Sequence, residues 1–192
     1  GFAFMVYEIL FLRELLITLG GTVYASSATL AGVMFGLFAG SQLFGLWTAR
    51  ARNPVLLFAG MELALAGFSV ILLPCLRWTG HLDSWSARYG VSFLVILIPS
   101  LLNGGELPVA MQLAERFIPK GRTGMYAGLV YGAGTAGALL GALILPFILL
   151  PGWGAYRSSL VAGAANAIGG LLVLGGGFSH GIFPAVLAAI LL

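Results

Sequence analysis

The sequence predicts an all-α protein whose helices cross a membrane. Of its 192 residues, 60% are hydrophobic and only 8% are charged, and the mean hydropathy is +1.05. A soluble domain carries about a quarter of its residues as charged side chains, so this chain lacks the charge to cover a water-facing surface. None of its long, glycine-rich apolar stretches alternates like a β-barrel strand. At roughly 20 residues per span, the length predicts a polytopic bundle of six to seven transmembrane helices.

Short polar or basic connections divide the apolar stretches and place the spans. Since the chain begins and ends inside apolar runs, we expect it to be a fragment of a longer protein. Residues 1–176 are predicted to form a six-helix transmembrane bundle, and residues 177–192 the start of a further transmembrane helix or a linker. The predicted spans are residues 1–19, Tyr24–Thr48, Val55–Leu76, Gly90–Leu113, Met125–Leu150 and Ser158–Leu174, with Phe183–Leu192 beginning a seventh.

The basic residues of the connections predict the orientation of the bundle. Loops 49–54 and 114–123 together carry Arg50, Arg52, Arg116, Lys120 and Arg122, whereas the connections at the other end carry three arginines. Because cytoplasmic loops are enriched in Lys and Arg, these two loops are expected to be cytoplasmic, in a bacterial inner membrane. The basic residues are therefore a topology signal, and no nucleic-acid partner is expected.

Glycines spaced by four predict where helices approach closely. Such spacing places small residues on one side of a helix and lets another backbone come near. Spans two and five both carry it, and they are the middle members of two three-helix sets of opposite orientation. This favours an inverted three-plus-three repeat, with spans two and five packed through their glycine stripes. The predicted packing residues are Gly32, Gly36, Gly40, Gly124, Gly128, Gly132, Gly137 and Gly141.

The first span contains ionisable residues that need an explanation. Glu8 and Arg13 are five residues apart, so they do not face each other as neighbours at i, i+3 or i, i+4 do. Arg13 and the adjacent Glu14 are likewise expected to point apart. A charge at the bilayer centre costs about 2.5 kcal/mol or more, so Glu8 is predicted to be protonated or to have a partner on another helix. The expected donors are Asn103, Tyr126 and Tyr131.

Two interpretations of Glu8 remain open. One is a polar clamp that fixes how the helices pack, and the other is a proton or cation site. In span four, Asn103 and Glu106 are three residues apart and lie between Pro99 and Pro108. A proline inside a helix removes a backbone donor, so this segment is predicted to be either kinked or a broken helix of the kind that transporters use for binding. Glu8, Arg13, Asn103 and Glu106 form the candidate polar site.

The sequence offers no pattern of a cofactor or a catalytic centre. His81 and His180 do not lie within predicted spans as haem ligands would, and the glycines do not follow a β-strand as in a nucleotide-binding turn. No cofactor, metal or catalytic residue is therefore predicted. The expected partners are the lipid bilayer and either other membrane subunits or a fused cytoplasmic domain.

Several segments carry a resemblance to a known family. "GFAFMVYEILFLREL", "TVYASSATLAGVMFGLFAGSQLFG", "NGGELP" and "MYAGLVYGAGTAGALLGALILPFILLPGWG" together resemble the membrane domain of the spermidine-synthase-like proteins. That family joins a bundle similar to one half of a major-facilitator transporter to a polyamine aminopropyltransferase-like domain. Asn103 and Glu106 depart from it in being more polar. The resemblance implies catalysis elsewhere in a parent protein, with no catalytic residue in this segment.

Three functions are compatible with the sequence. The first is an anchoring and assembly module that holds a catalytic domain or sibling subunits at the membrane. The second is a transporter or ion-coupled module that uses Glu8, Asn103 and Glu106. The third is an accessory helical subunit of a larger respiratory or electron-transfer complex.

Overall fold

The computed structural model describes residues 1–21, 23–48, 50, 53–115 and 123–176. Every regular element within these ranges is helical, which agrees with the predicted all-α class. The helices are α1 (Phe2–Thr18), α2 (Val23–Thr48), α3 (Pro54–Thr79), α4 (Trp85–Glu115), α5 (Thr123–Ile144), a π-helical turn (Leu145–Leu149) and α6 (Leu150–Gly176).

The first residues of α3 illustrate how the sequence sets a helix end. Pro54 occupies the first helical position, where its missing N–H costs nothing and its fixed φ suits the helix. Asn53 precedes it, and its Oδ1 accepts hydrogen bonds from the backbone N–H groups of Val55 (3.1 Å) and Leu56 (3.4 Å). These bonds satisfy donors that the helix itself leaves free. The helix therefore begins at the basic connection that the sequence predicted to end span two.

Of the two predictions for span four, a kinked helix and a broken one, the broken helix is wrong. Helix α4 continues through both Pro99 and Pro108, because the neighbouring helices surround the freed backbone groups and tolerate the prolines. The interruption in the chain lies later, at Gly154, where φ is +74° and ψ is 171°. This left-handed conformation suits glycine because it carries no Cβ. It follows the π-helical turn and lies inside the range of α6, where it separates two helical parts across a kink.

Four helical stretches of the described chain are long and apolar enough to cross a membrane. They are Val23–Thr48, Pro54–Thr79, Trp85–Leu113 and the 49 residues Ala127–Gly175, which include the turn at Gly154. The architecture is thus consistent with a membrane protein. The count of six to seven spans stays a prediction, and the expected seventh span lies outside the described residues.

Glycines allow close contact between α2 and α4. A Cβ at Gly36 would overlap Ser100, and one at Gly40 would overlap the Leu101 carbonyl. From the other side, a Cβ at Gly104 would lie 2.5 Å from the Leu37 carbonyl oxygen. The two backbones therefore touch, and the glycine stripe of span two packs against span four.

The predicted contact between spans two and five needs correction. The Gly124, Gly128 and Gly132 stripe has no described atom within 4 Å of where a Cβ would stand. Helix α5 instead meets α1 through its other face, where a Cβ at Gly141 would lie 2.7 Å from the Phe2 carbonyl oxygen. Gly137 is also buried on α5. Four-residue spacing identifies a small face, but it does not specify which helix covers that face.

The ends of α2 and α4 lie together at one end of the bundle. Gln112 Nε2 donates a 2.7 Å hydrogen bond to the Thr48 carbonyl, so the two connections that begin there leave from neighbouring points. Most of loops 49–54 and 114–123 lies outside the described residues. Their cytoplasmic location stays a prediction.

Candidate functional site

A cavity of about 640 Å³ opens among α1, α3, α4, α5 and α6. Most of its wall is apolar, with Phe2, Phe4 and Phe58 among the lining residues. Polar side chains from four helices interrupt this wall. We call it the carboxylate cavity, and its polar lining residues are Glu62, Asn103, Glu106, Tyr131, Thr135 and Asn166.

Glu62 reaches the cavity because the residues of α6 that lie opposite it are glycines, which leave room for its side chain. The side chain lies on the face of α3 that packs against α6, where a Cβ at Gly170 would lie 3.1 Å from the Glu62 Cβ. Gly169 is similarly close, with its Cβ position 3.8 Å from a Glu62 carboxylate oxygen. Glu62 is only 6% exposed, and it makes no hydrogen bond or ion pair with a described residue. Among the described residues that line this cavity, none carries an Arg, Lys or His side chain to face the carboxylate.

Glu106 and Asn103 enter the same cavity from α4, as their spacing of three predicts. Asn103 Nδ2 donates to the Pro99 carbonyl at 2.8 Å, which leaves its side-chain oxygen free to accept. Glu106 makes no hydrogen bond to a described residue. The structure thus places two carboxylates and an amide oxygen around one space of low polarity.

A hydrogen-bonded chain forms the wall behind the cavity. Asn166 Nδ2 donates to the Tyr7 hydroxyl at 3.4 Å, and the Tyr7 hydroxyl donates to the Leu65 carbonyl at 3.3 Å. Tyr7 is 1% exposed and Asn166 7%. These bonds connect α1, α3 and α6 and hold the amide of Asn166 in place at the cavity wall.

The carboxylate cavity is chemically suited to a cation. Two carboxylates in a weakly polar space repel each other unless a proton or a cation neutralises them, and charged groups at membrane depth are costly without such a partner. Carboxylate and amide oxygens accept hydrogen bonds from ammonium groups and also coordinate hard metal ions. Among the described residues, no cluster of three or more His, Cys, Asp or Glu side chains is placed to hold a metal ion. The oxygens of the cavity are therefore suited to a proton or a cation.

Glu8 does not join this site. It is half-buried on α1 and makes no hydrogen bond or ion pair with a described side chain. Two of its predicted partners, Asn103 and Tyr131, line the carboxylate cavity instead, and the side chain of the third, Tyr126, lies outside the described residues. The adjacent Tyr7 faces inward, so Glu8 is turned toward a different side of α1. The predicted clamp through Asn103 or Tyr131 is corrected accordingly.

A second polar cluster lies at the opposite end of α1. Glu14 is buried, with 2% of its side chain exposed, and it accepts from Arg13 at 2.5 Å and from Arg77 at 3.0 Å and 3.4 Å. The expectation that Arg13 and Glu14 point apart is wrong, because the long arginine side chain reaches back to its neighbour. Arg77 was not predicted as a partner, since it lies 63 residues away on α3.

Sequence reasoning missed Glu62, Asn166 and Arg77. Glu62 had a usable signal: it is the single charged residue between Asn53 and Arg77, within a helix of high hydropathy. An ionisable residue inside a membrane span marks a functional position by default. Nothing in the sequence indicates that Asn166 and Tyr7, 159 residues apart, form a hydrogen bond.

The chain is similar to proteins named polyamine aminopropyltransferase. It is 30% identical to polyamine aminopropyltransferase 1 of Streptomyces coelicolor over 174 residues, which is 88% of this chain and 31% of that protein. Polyamine aminopropyltransferase 2 of the same organism is 32% identical over 185 residues, with 89% and 31% covered. The polyamine aminopropyltransferase of Corynebacterium efficiens is 29% identical over 174 residues, with 88% and 32% covered.

These similarities involve most of this chain and only part of each relative. No family model matches the chain, and neither does any solved structure. The chain spans about a third of the length of the curated relatives that it matches. The comparisons thus support a relation to spermidine-synthase-like proteins, through a segment that in this chain is helical and apolar.

Proposed function

We propose that this chain is the membrane-embedded module of a polyamine aminopropyltransferase-like protein, and that it holds the remainder of that protein at the bilayer. The observation that carries the proposal is the match of nearly the whole chain to about a third of proteins with that name, combined with four stretches able to cross a membrane. These names favour the anchoring role over an accessory subunit of a respiratory complex.

Helix pairing supports a bundle similar to one half of a major-facilitator transporter. In an inverted three-plus-three repeat, α1, α2 and α3 are equivalent to α4, α5 and α6. This exchange turns the α2–α4 contact into the α5–α1 contact and leaves the α3–α6 contact unchanged. All three contacts occur and include glycines, at Gly40, Gly141 and Gly163. The equivalent helices α1 and α4 both line the carboxylate cavity.

The anchoring role predicts where the protein is found after the module is removed. The full-length protein is expected in the membrane fraction and resistant to extraction with alkaline carbonate, whereas a version without residues 1–192 is expected in the soluble fraction. Immunoblotting of the fractions measures both. Carbonate extraction of the full-length protein, or carbonate-resistant retention of the shortened one, contradicts the proposal.

A second function, cation binding, is favoured by the pair of carboxylates in the cavity. Glu62 is buried and makes no hydrogen bond or ion pair with a described side chain, and Glu106 faces the same space. The relatives' name adds a chemical class, since polyamines carry several ammonium groups that can each donate to a carboxylate. We therefore propose that the carboxylate cavity binds a polyamine or a similar organic cation, which would give the membrane module a binding or transport role.

Replacement of both cavity carboxylates is expected to abolish one polyamine-binding site. In isothermal titration calorimetry of the full-length protein with spermidine, the Glu62→Gln/Glu106→Gln double variant should show one site fewer than the wild type. Either single variant should bind at this site about tenfold more weakly, which corresponds to roughly 1.4 kcal/mol for one charge-assisted contact. Counting sites separates this cavity from any other polyamine site in the protein.

Asp83→Asn is the matched control. Asp83 is exposed in the connection between α3 and α4 and does not line the cavity, so the same change from carboxylate to amide should leave spermidine binding intact. An unchanged number of sites in the double variant rejects cation binding by this cavity, and it leaves the anchoring proposal untouched.

A further inference from the structure

A second cavity, of about 490 Å³, lies between α1, the end of α3 and the start of α4. Its charged lining residues are Arg13, Glu14, Arg77 and Arg88, and His81 also lines it. We call this the arginine cavity. Three guanidinium groups and one carboxylate line it, which leaves a surplus of two positive charges from these four side chains.

The protein itself uses few of the available hydrogen-bond donors. A guanidinium carries five N–H groups. Arg13 donates one hydrogen bond to Glu14, Arg77 donates two to the same carboxylate, and Arg88 donates one to the Leu82 carbonyl at 2.5 Å. Arg13 and Arg77 also keep 44% and 54% of their side chains exposed. Most of the donors therefore remain accessible to an anion.

Glu14 orients the cluster without neutralising it. Its carboxylate is buried beneath the two arginines and accepts hydrogen bonds from both. It therefore fixes the two planar guanidinium groups at one edge of the cavity. Arginine forks match the geometry of phosphate oxygens and bind them through paired hydrogen bonds. The arginine cavity therefore has the elements of a phosphate site: fixed guanidinium groups, free donors and excess positive charge.

The surroundings favour the phosphate of a lipid over free phosphate. Aromatic residues ring this end of the bundle: Trp85 contacts Tyr24 at a ring-centroid distance of 5.1 Å and stacks on Tyr89 at 5.5 Å. Trp and Tyr concentrate at the level of lipid headgroups. The lining residue Ile17 is 64% exposed, which provides an apolar surface for acyl chains beside the arginines.

We infer that the arginine cavity binds the phosphate headgroup of an anionic phospholipid. The lipid would sit against α1, α3 and α4 at the end of the bundle opposite the basic loops. A lipid held there joins α1 to the end of α3 and the start of α4. This role is independent of cation binding in the carboxylate cavity.

Native mass spectrometry with short-chain lipids tests the inference. The full-length protein in non-ionic detergent is titrated with dihexanoyl phosphatidylglycerol and, in parallel, with the zwitterionic dihexanoyl phosphatidylcholine. The wild type is expected to bind phosphatidylglycerol more tightly, and Arg88→Gln should weaken that binding about tenfold, as loss of a charge-assisted contact of roughly 1.4 kcal/mol predicts. Arg88→Lys keeps the positive charge but not the paired donors of the guanidinium group, so this variant should lose less affinity for phosphatidylglycerol.

The control is Arg157→Gln, which removes a charge from an exposed residue of α6 that does not line the cavity. Equal binding of the two lipids by the wild type overturns the inference, and so does an equal loss in the Arg88→Gln and Arg157→Gln variants. Displacement of phosphatidylglycerol by millimolar inorganic phosphate would reassign the site to a free anion. If Arg88→Gln fails to fold, the comparison of Arg88→Lys with Arg157→Gln decides the question.

Discussion

Replacing Gly40 with leucine is expected to force α2 away from α4 and to destabilise the bundle by roughly 3 kcal/mol or more. A Cβ at this position overlaps the Leu101 carbonyl, so the obstacle is backbone that no side-chain rotation can move. Gly36 stands one turn earlier against Ser100, and Gly36→Leu should have an effect of the same size. Thermal unfolding in detergent, followed by tryptophan fluorescence, measures the loss.

Gly132→Leu provides the matched control for this prediction. It is the same substitution within a helical glycine stripe, but no described atom lies within 4 Å of its Cβ position. It should therefore leave the melting temperature close to that of the wild type. Equal destabilisation at Gly40 and Gly132 would show that the stripe on α5 is also packed, and that close α2–α4 contact is not the special feature of Gly40.

The sequence predicted the apolar helices well because their signal is local. Span two was placed at Tyr24–Thr48 and α2 is Val23–Thr48; span three was placed at Val55–Leu76 and α3 is Pro54–Thr79. Proline, asparagine and arginine residues lie at these ends and indicate where one helix ends and the next begins. The spans near the tryptophans were predicted too short, because a polar composition at Trp85–Arg88 does not prevent helix formation where the chain leaves the membrane.

Long-range partners could not be predicted in the same way. Asn103 and Glu106 were correctly placed on one face, since a spacing of three fixes that relation within a helix. Which helices complete their cavity depends on how α3, α5 and α6 cross, and no local rule gives this. Glu8 was predicted as a site residue because it is the acidic residue at the centre of the first span. The carboxylate that shares the cavity with Glu106 is that of Glu62.

Simultaneous removal of Arg13 and Arg77 should cost much more than the sum of the two single changes. Either arginine alone can still donate to Glu14, and both are well exposed, so Arg13→Ala and Arg77→Ala should each destabilise the protein by about 1 kcal/mol. The double variant removes every described hydrogen-bond donor to a buried carboxylate. Breaking such an arrangement typically costs about 3–5 kcal/mol.

Glu14→Gln in the double-variant background separates the charge from the loss of side-chain packing. If the penalty comes from an unpaired buried charge, removing that charge should recover most of the lost stability, although both arginines remain absent. The measurement is again thermal unfolding in detergent, arranged as a double-mutant cycle of Arg13 and Arg77 with and without Glu14. Additive single effects, or a triple variant no more stable than the double, would mean that the arginines stabilise α1 and α3 through their aliphatic stems and not through Glu14. Because α1 and α3 meet at this carboxylate, recovery by glutamine would identify Glu14 as the ionic connection between the two helices.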